Sequence, residues 1–417
     1  MSLDVFQQVF TLSLASNLVN DLKGTQTSLQ STLQLGLTFT LPIIGGPWQL
    51  VWGPVVWKSK PDDATTGPDN SWYVAYHPSL QYEDGSVRPT YVIAVAGTPP
   101  EAEYAWIKEN FAVNSVSDFT AWVAGGIQNA PAVVPAKSIV SGLPYIATGT
   151  VNAVHLLLTT QAPPSAASGG MTLLDFIGGL DESDSPGFIF TGHSLGGALS
   201  PSLALALVTA GVISQDATLT YPTAGASPGN SGFTNLFAGT FPARKSDDAS
   251  SYQGWNLNLV NTLDVVPQAW CPLKSLSPQQ NLANIPPIYG TPVIPVVSGL
   301  TIVFAVRTFS SGVLYKPLPS QYFTGPPNPA PPTTLEEYLQ IFVPQHIQAY
   351  VNEVGIPLPG LDKSKVGSGL SEKTRDEKRF NYPVGAEFEW AREHPAEAQQ
   401  VIREAEDAPE AQGILDN

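Results

Sequence analysis

Phe188-Ile189-Phe190-Thr191-Gly192-His193-Ser194-Leu195-Gly196-Gly197-Ala198 is the stretch that decides the fold of this 417-residue chain. Three residues of strand character enter a Gly-x-Ser-x-Gly turn, and an uncharged run of small residues continues from Gly196 to Ala210. The pattern predicts a strand, a sharp turn and a helix, with Ser194 at the turn. A serine there must adopt a strained backbone conformation so that its hydroxyl stands clear of the chain. Gly192 and Gly196 flank it because side chains would collide across so tight a turn. The start of the helix directs unpaired N–H groups at any negative charge that develops beside the serine. A bare Gly-x-Ser-x-Gly recurs by chance; the strand before and the helix after make this one specific.

Around this stretch, Gln49–Lys58, Ser71–His77 and Thr90–Val95 alternate or run apolar like strands, with turns at Lys60–Asp69 and Tyr82–Arg88. Asp175–Pro186 feeds the strand before Ser194, and Ala217–Tyr221 and Asn256–Val260 follow as further strands. Strands alternating with helices predict a mostly parallel sheet covered on both faces, an α/β architecture with its site at the carboxyl ends of the strands. Phe6, Val9, Phe10, Leu14 and Leu18 form a helical stripe, read as a packing helix. Met1 to Leu22 lacks the basic start and continuous apolar core of a signal peptide, and a cytoplasmic or an exported location is left open. Pro286, Pro287, Pro292 and Pro295 interrupt the uncharged span between Lys274 and Arg307, so no transmembrane segment is expected and the protein is read as soluble.

Charge is unevenly placed. Residues 1–360 carry 11 Lys/Arg and 22 Asp/Glu, and the last 57 residues carry 8 and 13. The chain therefore divides near Gly360 into a sparsely charged body, 1–360, and a charged extension, 361–417, with a helical run from Ala386 to Ala408. The net charge of −16 argues against nucleic acid and anionic membrane surfaces as partners. One cysteine, Cys271, excludes an internal disulfide framework.

A serine nucleophile needs a histidine to take its proton and a carboxylate to orient that histidine. On a strand–turn–helix serine the chain order is Ser, then Asp or Glu, then His. Of five histidines, His77 and His155 precede Ser194 and His193 lies inside the turn. His394 sits in the charged extension between Glu393 and Pro395 and reads as a surface residue. His346 is the expected base, placed after a break at Val343-Pro344-Gln345 and opening the apolar-striped segment His346–Val351. Asp216, Asp247, Asp248, Asp264, Glu336 and Glu337 are the acids in range, and only Asp264 ends a buried-looking strand, Leu257–Pro267. For the oxyanion, Leu195 N–H follows the nucleophile, and Thr98 N–H follows the strand Tyr91–Ala96 and Gly97.

Together these residues resemble a class 3, fungal-type triacylglycerol lipase over about 88–350. The resemblance rests on Val95-Ala96-Gly97-Thr98, on Thr191–Leu199, on Asn261-Thr-Leu-Asp264-Val-Val-Pro267, and on His346 with Tyr350. It implies an α/β-hydrolase fold, a Ser194–Asp264–His346 triad, no cofactor or metal, and ester hydrolysis through an acyl-enzyme. It also implies a lid, here 99–113, with Trp106, Ile107 and Phe111 as substrate-binding residues. Three departures stand out. Ala96 replaces the arginine that usually precedes the Gly-Thr pair, so a supporting ion pair is absent or replaced. Pro201 falls inside the helix after Ser194, where it removes a hydrogen bond and predicts a kink. The Pro-rich span of about 272–332 reads as a cap-like insert.

The expected function is a lipase-type carboxylic-ester hydrolase acting on an ester or lipid, with a lipid–water interface as the setting for the lidded form. A short-chain carboxylesterase or a phospholipase could use the same triad. A hydrolase-fold binding protein is the alternative from another class, disfavoured because Ser, Asp and His are all present in order. Acyl-chain length and oligomeric state are left open.

Overall fold

The computed structural model describes residues 3–98, 112–181 and 183–356. The expected lid residues Trp106, Ile107 and Phe111, the extension 361–417 and His394 lie outside the described residues.

Two helices lead the chain, α1 (Val5–Ala15) and α2 (Gln26–Thr40). Asp4 caps α1 reciprocally: its carboxylate accepts the Gln7 N–H at 2.8 Å, and the Gln7 side chain accepts the Asp4 N–H at 2.9 Å. Phe6, Val9 and Phe10 are buried as their spacing predicts, but α1 ends at Ala15, so Leu18 belongs to the turns that follow. Strands β1 (Gln49–Trp57), β2 (Asn70–Gln81) and β3 (Val87–Val95) form an antiparallel meander. Then come β4 (Val116–Asp118), α3 (Phe119–Ala124), β5 (Tyr145–Ala147), α4 (Thr148–Thr159), α5 (Leu173–Gly178) and β6 (Gly187–His193). The helix after Ser194 is α6 (Leu195–Thr209), followed by β7 (Thr218–Thr223), β8 (Gly229–Asn230), α7 (Ser231–Thr240) and β9 (Asn258–Asn261). The described chain closes with α8 (Pro295–Ser310), β10 (Tyr315–Lys316), β11 (Ser320–Phe323), α9 (Leu335–His346) and α10 (Gln348–Val354).

Seven strands make the main sheet in the order β1-β2-β3-β6-β7-β9-β11, parallel from β3 to β11. This is an α/β-hydrolase fold: a mostly parallel sheet with helices on both faces. The sequence explains the burial. All of β6 and β7 and the end of β3 are buried, as expected of parallel strands covered on both sides. Alternate residues supply two cores. Ile93, Val95, Phe188 and Phe190 pack with α4, α5 and α6, while Val92, Ala94, Ile189 and Tyr221 pack with α1, α2 and α10. Pro201 sits inside α6, whose first thirteen residues are all buried.

A second, four-stranded antiparallel sheet, β10-β8-β5-β4, shares a third core with α8 and the base of α9. Part of the Pro-rich span thus returns to the body. β10 pairs with β8, and β11 becomes the edge strand of the main sheet, in register with β9 from Ser320–Asn258 to Phe323–Asn261. Among the described residues no helix is long and apolar enough to cross a membrane.

Candidate active site

The carboxyl ends of four strands converge at Ser194. Val95 of β3 pairs with Gly192 of β6, His193 with Thr223 of β7, and Thr223 with Leu259 of β9. Between β6 and α6, Ser194 holds φ 61° and ψ −123°, a conformation costly for a residue with a side chain. Its N–H is tied to Thr223 O at 3.0 Å. The flanking glycines are required by close approach. A Cβ on Gly192 would lie 2.3 Å from Gly196 O, and one on Gly196 would lie 2.2 Å from Val95 O. Leu195 opens α6, so its N–H is among the first-turn amides without an acceptor within the helix.

Asp264 follows β9 by three residues and is fully buried. Its Oδ2 accepts His346 Nδ1 at 2.8 Å and the Tyr350 hydroxyl at 2.9 Å, and its Oδ1 accepts the Val266 N–H at 3.0 Å. His346 is the last residue of α9, one-eighth exposed, and so the break in the chain falls after it rather than before it. Pro344 is accommodated within that helix, and Thr334 caps it as expected, accepting the Glu337 N–H at 3.1 Å. The Glu337 carboxylate answers one residue earlier than a capping box predicts, at Thr333 N–H.

His346 reaches the serine turn through its neighbour. The His193 and His346 rings lie 4.7 Å apart, and the Phe342 ring stacks on His346 with centroids 5.4 Å apart. The His346 ring thus lies against the residue that immediately precedes Ser194. His193 is buried, with Nδ1 at 2.9 Å from Thr223 Oγ1. Burial first, and the neighbouring His346 second, hold its pKa well below the ordinary histidine value, so it stays neutral. Tyr350 moves the other way. Burial, then the charge of Asp264, push its phenol well above the usual value, keeping the hydroxyl protonated as a donor.

On the opposite side of the turn, Gly97 approaches so closely that a Cβ there would stand 3.1 Å from Ser194 Cβ and 2.9 Å from His193 O. Thr98 follows it, half-buried. Cys271 is buried, its thiol pushed up to about 11 by burial, which makes it inert. Among the described residues no cluster of His, Cys, Asp and Glu has the makings of a metal site.

Sequence reasoning missed Asn261. Its backbone N–H donates to the Tyr350 hydroxyl at 3.0 Å, its Nδ2 donates to Gln345 O at 2.8 Å, and its Oδ1 accepts the Gly325 N–H at 2.9 Å. It therefore pins the residue before His346. The signal was available, since Asn261 stands three residues before Asp264, but an asparagine at a strand end more often caps its own backbone.

A strained serine at the strand–helix turn, with an Asp–His pair beside it, is the arrangement of an α/β-hydrolase. Residues 129–273, which include Ser194 and Asp264, match the family model for Lipase (class 3). Over that stretch the chain is similar to the class 3 lipases, which are carboxylic-ester hydrolases, and its fold is that of the α/β-hydrolases. It is similar to the crystal structure of M37 lipase, at 23% identity and a TM-score of 0.61, over 84% of this chain and 92% of that one. Lipase from Rhizopus microsporus var. chinensis is a more distant likeness, 13% identical with a TM-score of 0.37 over 65% and 70% of the two chains. No curated protein sequence matches the chain.

Proposed function

We propose that the protein is a triacylglycerol lipase that works through an acyl-enzyme on Ser194. The observation that carries this is the Asp264–His346 pair set beside the strained serine. With Nδ1 donating to the carboxylate, His346 Nε2 is left as the acceptor for a proton. Ser194 Oγ attacks the ester carbonyl carbon while Nε2 takes its proton. The C–O bond to the alcohol then breaks, and the imidazolium returns the proton to the departing oxygen. Water, activated by the same nitrogen, releases the acid and restores the serine. Asp264 holds the imidazole and stabilises its charge, while Thr98 and Leu195 N–H groups receive the oxyanion.

A long acyl substrate is favoured by the surroundings of His346. Phe342 covers its ring, Leu263 and Val265 are half-buried nearby in sequence to Asp264, and Val343 and Ile347 stand exposed on either side of it. Apolar side chains left in water at a reaction centre suit an apolar ligand. Hydrolysis of p-nitrophenyl esters from acetate to palmitate, as monomers and as emulsions, tests this with Ser194→Ala as control. Preference for long chains with Ser194-dependent turnover is expected. Preference for acetate or butyrate would make the protein a short-chain esterase, and turnover that survives Ser194→Ala would remove the mechanism.

A further inference from the structure

The residue before the Gly97-Thr98 pair is Ala96, so no side chain from that position can brace the pair. Bracing comes instead from the N-terminal segment, 77 and 80 residues earlier in the chain. Asn17 Oδ1 accepts the Gly97 N–H at 2.8 Å, and Asn20 Nδ2 donates to Gly97 O at 3.1 Å. The two amides are themselves joined, Asn20 Nδ2 to Asn17 Oδ1 at 2.8 Å. Asn17 Nδ2 is anchored to Ser13 O in the last turn of α1 at 3.1 Å. One residue upstream, Ala96 N–H donates to Ser71 O at 2.9 Å, and Ser71 Oγ donates to Ser16 O, again at 2.9 Å.

We propose that Asn17 and Asn20 are positioning residues for the oxyanion hole. Gly97 C=O and Thr98 N–H belong to one peptide unit. That bond is trans, so the two groups point in opposite directions. Fixing the carbonyl on Asn20 therefore fixes the direction of the Thr98 N–H, away from Asn20. Asn17 holds the preceding N–H and prevents Gly97 from rotating, freedom that a glycine would otherwise have. The amide orientation is unambiguous: reversing Asn20 would put its oxygen against Gly97 O and Asn17 Oδ1, acceptor against acceptor. Asn20 Oδ1 is meanwhile buried without a partner. A side chain kept in place with an orphaned oxygen is there for its donor.

The inference rests on the proposed serine mechanism, with Thr98 N–H as the second oxyanion donor, and Ser194→Ala separates a failure of that mechanism from a failure of the clamp. Ser194→Ala, Asn20→Ala, Asn20→Asp and Asn17→Ala are compared for kcat and KM on one soluble p-nitrophenyl ester. Affinity for an alkylboronic acid, which forms a tetrahedral adduct on a serine, is measured on the same set without Ser194→Ala. Losing one oxyanion donor outright lowers kcat by about 10²–10³, so misorienting one should lower it by roughly 10- to 100-fold. KM should stay within about threefold, and boronate affinity should fall in parallel with kcat. Asn20→Asp fills the same space but faces Gly97 O with a carboxylate, so it must lose at least as much as Asn20→Ala. A packing role would spare it. Should Asn20→Ala not fold, Asn17→Ala tests the N–H end of the same clamp. A kcat within twofold of the parent in either alanine variant, or a loss confined to KM, overturns the proposal. If Ser194→Ala leaves turnover intact, it is the serine mechanism that fails.

Discussion

Replacing Asp264 by Asn isolates the charge of the acid from its shape. Asn has one acceptor oxygen, whereas the Asp264 carboxylate serves three donors: His346 Nδ1 and the Tyr350 hydroxyl on Oδ2, and Val266 N–H on Oδ1. With its oxygen towards His346 and Tyr350, the amide NH₂ faces the Val266 N–H; with the opposite orientation, it faces two donors. The first arrangement is preferred, because it strands one backbone N–H, at about 1–3 kcal/mol, in place of two donors. It also preserves the His346 tautomer whose Nε2 accepts a proton. What is lost is the attraction of the carboxylate for the imidazolium formed in the transition state. With roughly 4 Å between charge centres and an effective dielectric constant of about 20, that attraction is about 4 kcal/mol, or about a thousandfold in rate. Asp264→Asn should therefore lower kcat for a soluble p-nitrophenyl ester by about 10³, with little change in KM and a modest loss of stability in urea titration. A loss of less than tenfold would refute the assignment of Asp264 as the orienting acid. So would a loss carried by KM, which would mean the residue shapes the pocket.

Tyr350→Phe removes a donor to Asp264 and the acceptor of the Asn261 N–H, so it should destabilise the protein by about 1–3 kcal/mol in urea unfolding. Its kcat should fall less than tenfold because the Asp264–His346 bond survives; a loss matching that of Asp264→Asn would make the hydroxyl part of the chemistry. His193 gives a pH signature. Its folded pKa lies well below the ordinary value near 6.5, so its contribution to stability is complete above that pH. The contribution is lost as pH falls below 6.5, because the unfolded chain takes up the proton first, at up to about 1.4 kcal/mol per pH unit. His193→Asn keeps a polar partner for Thr223 and should flatten unfolding free energy against pH between 6.5 and 5. Parallel curves for parent and variant would show that His193 is not held neutral.

The serine turn was legible because its constraints are local. Ser194 needs a positive φ, Gly192 and Gly196 must lack side chains, and all three demands fall within five residues. Asp264 and His346 were reachable by elimination, since chain order and a small supply of histidines left few candidates. What elimination could not see was the partner list. Asn261 and Tyr350 act through backbone groups and a shared carboxylate oxygen, and nothing in their spacing announces that. The same holds for Asn17 and Asn20: nothing in the local sequence relates them to Gly97, and only the fold brings them together. β11 was hidden for another reason. Ser320–Phe323 is short, lies at the sheet edge and sits between Pro319 and the Pro-rich run 326–332, so tertiary pairing with β9 decides its state and local propensity does not.

The long excursion between Asp264 and His346 raises the question of how a pair separated by 82 residues keeps hydrogen-bond geometry. The answer lies at its two ends. Asn261, three residues before the acid, binds Gln345 through both the backbone carbonyl and the side-chain oxygen at 2.8 Å, and Gln345 Nε2 reaches Pro326 O. Gly325 returns to Asn261 Oδ1, so the strand exit, the middle of the excursion and the end of α9 meet on one asparagine. Leaving any of these buried groups unpaired would cost about 1–3 kcal/mol, and each extra doubling of loop length costs only about 0.6 kcal/mol. Closure at the base therefore fixes His346 against Asp264 almost independently of how much chain is inserted above. Variation in the excursion outside these anchors and outside β11 leaves the Asp264–His346 pair where β9 puts it.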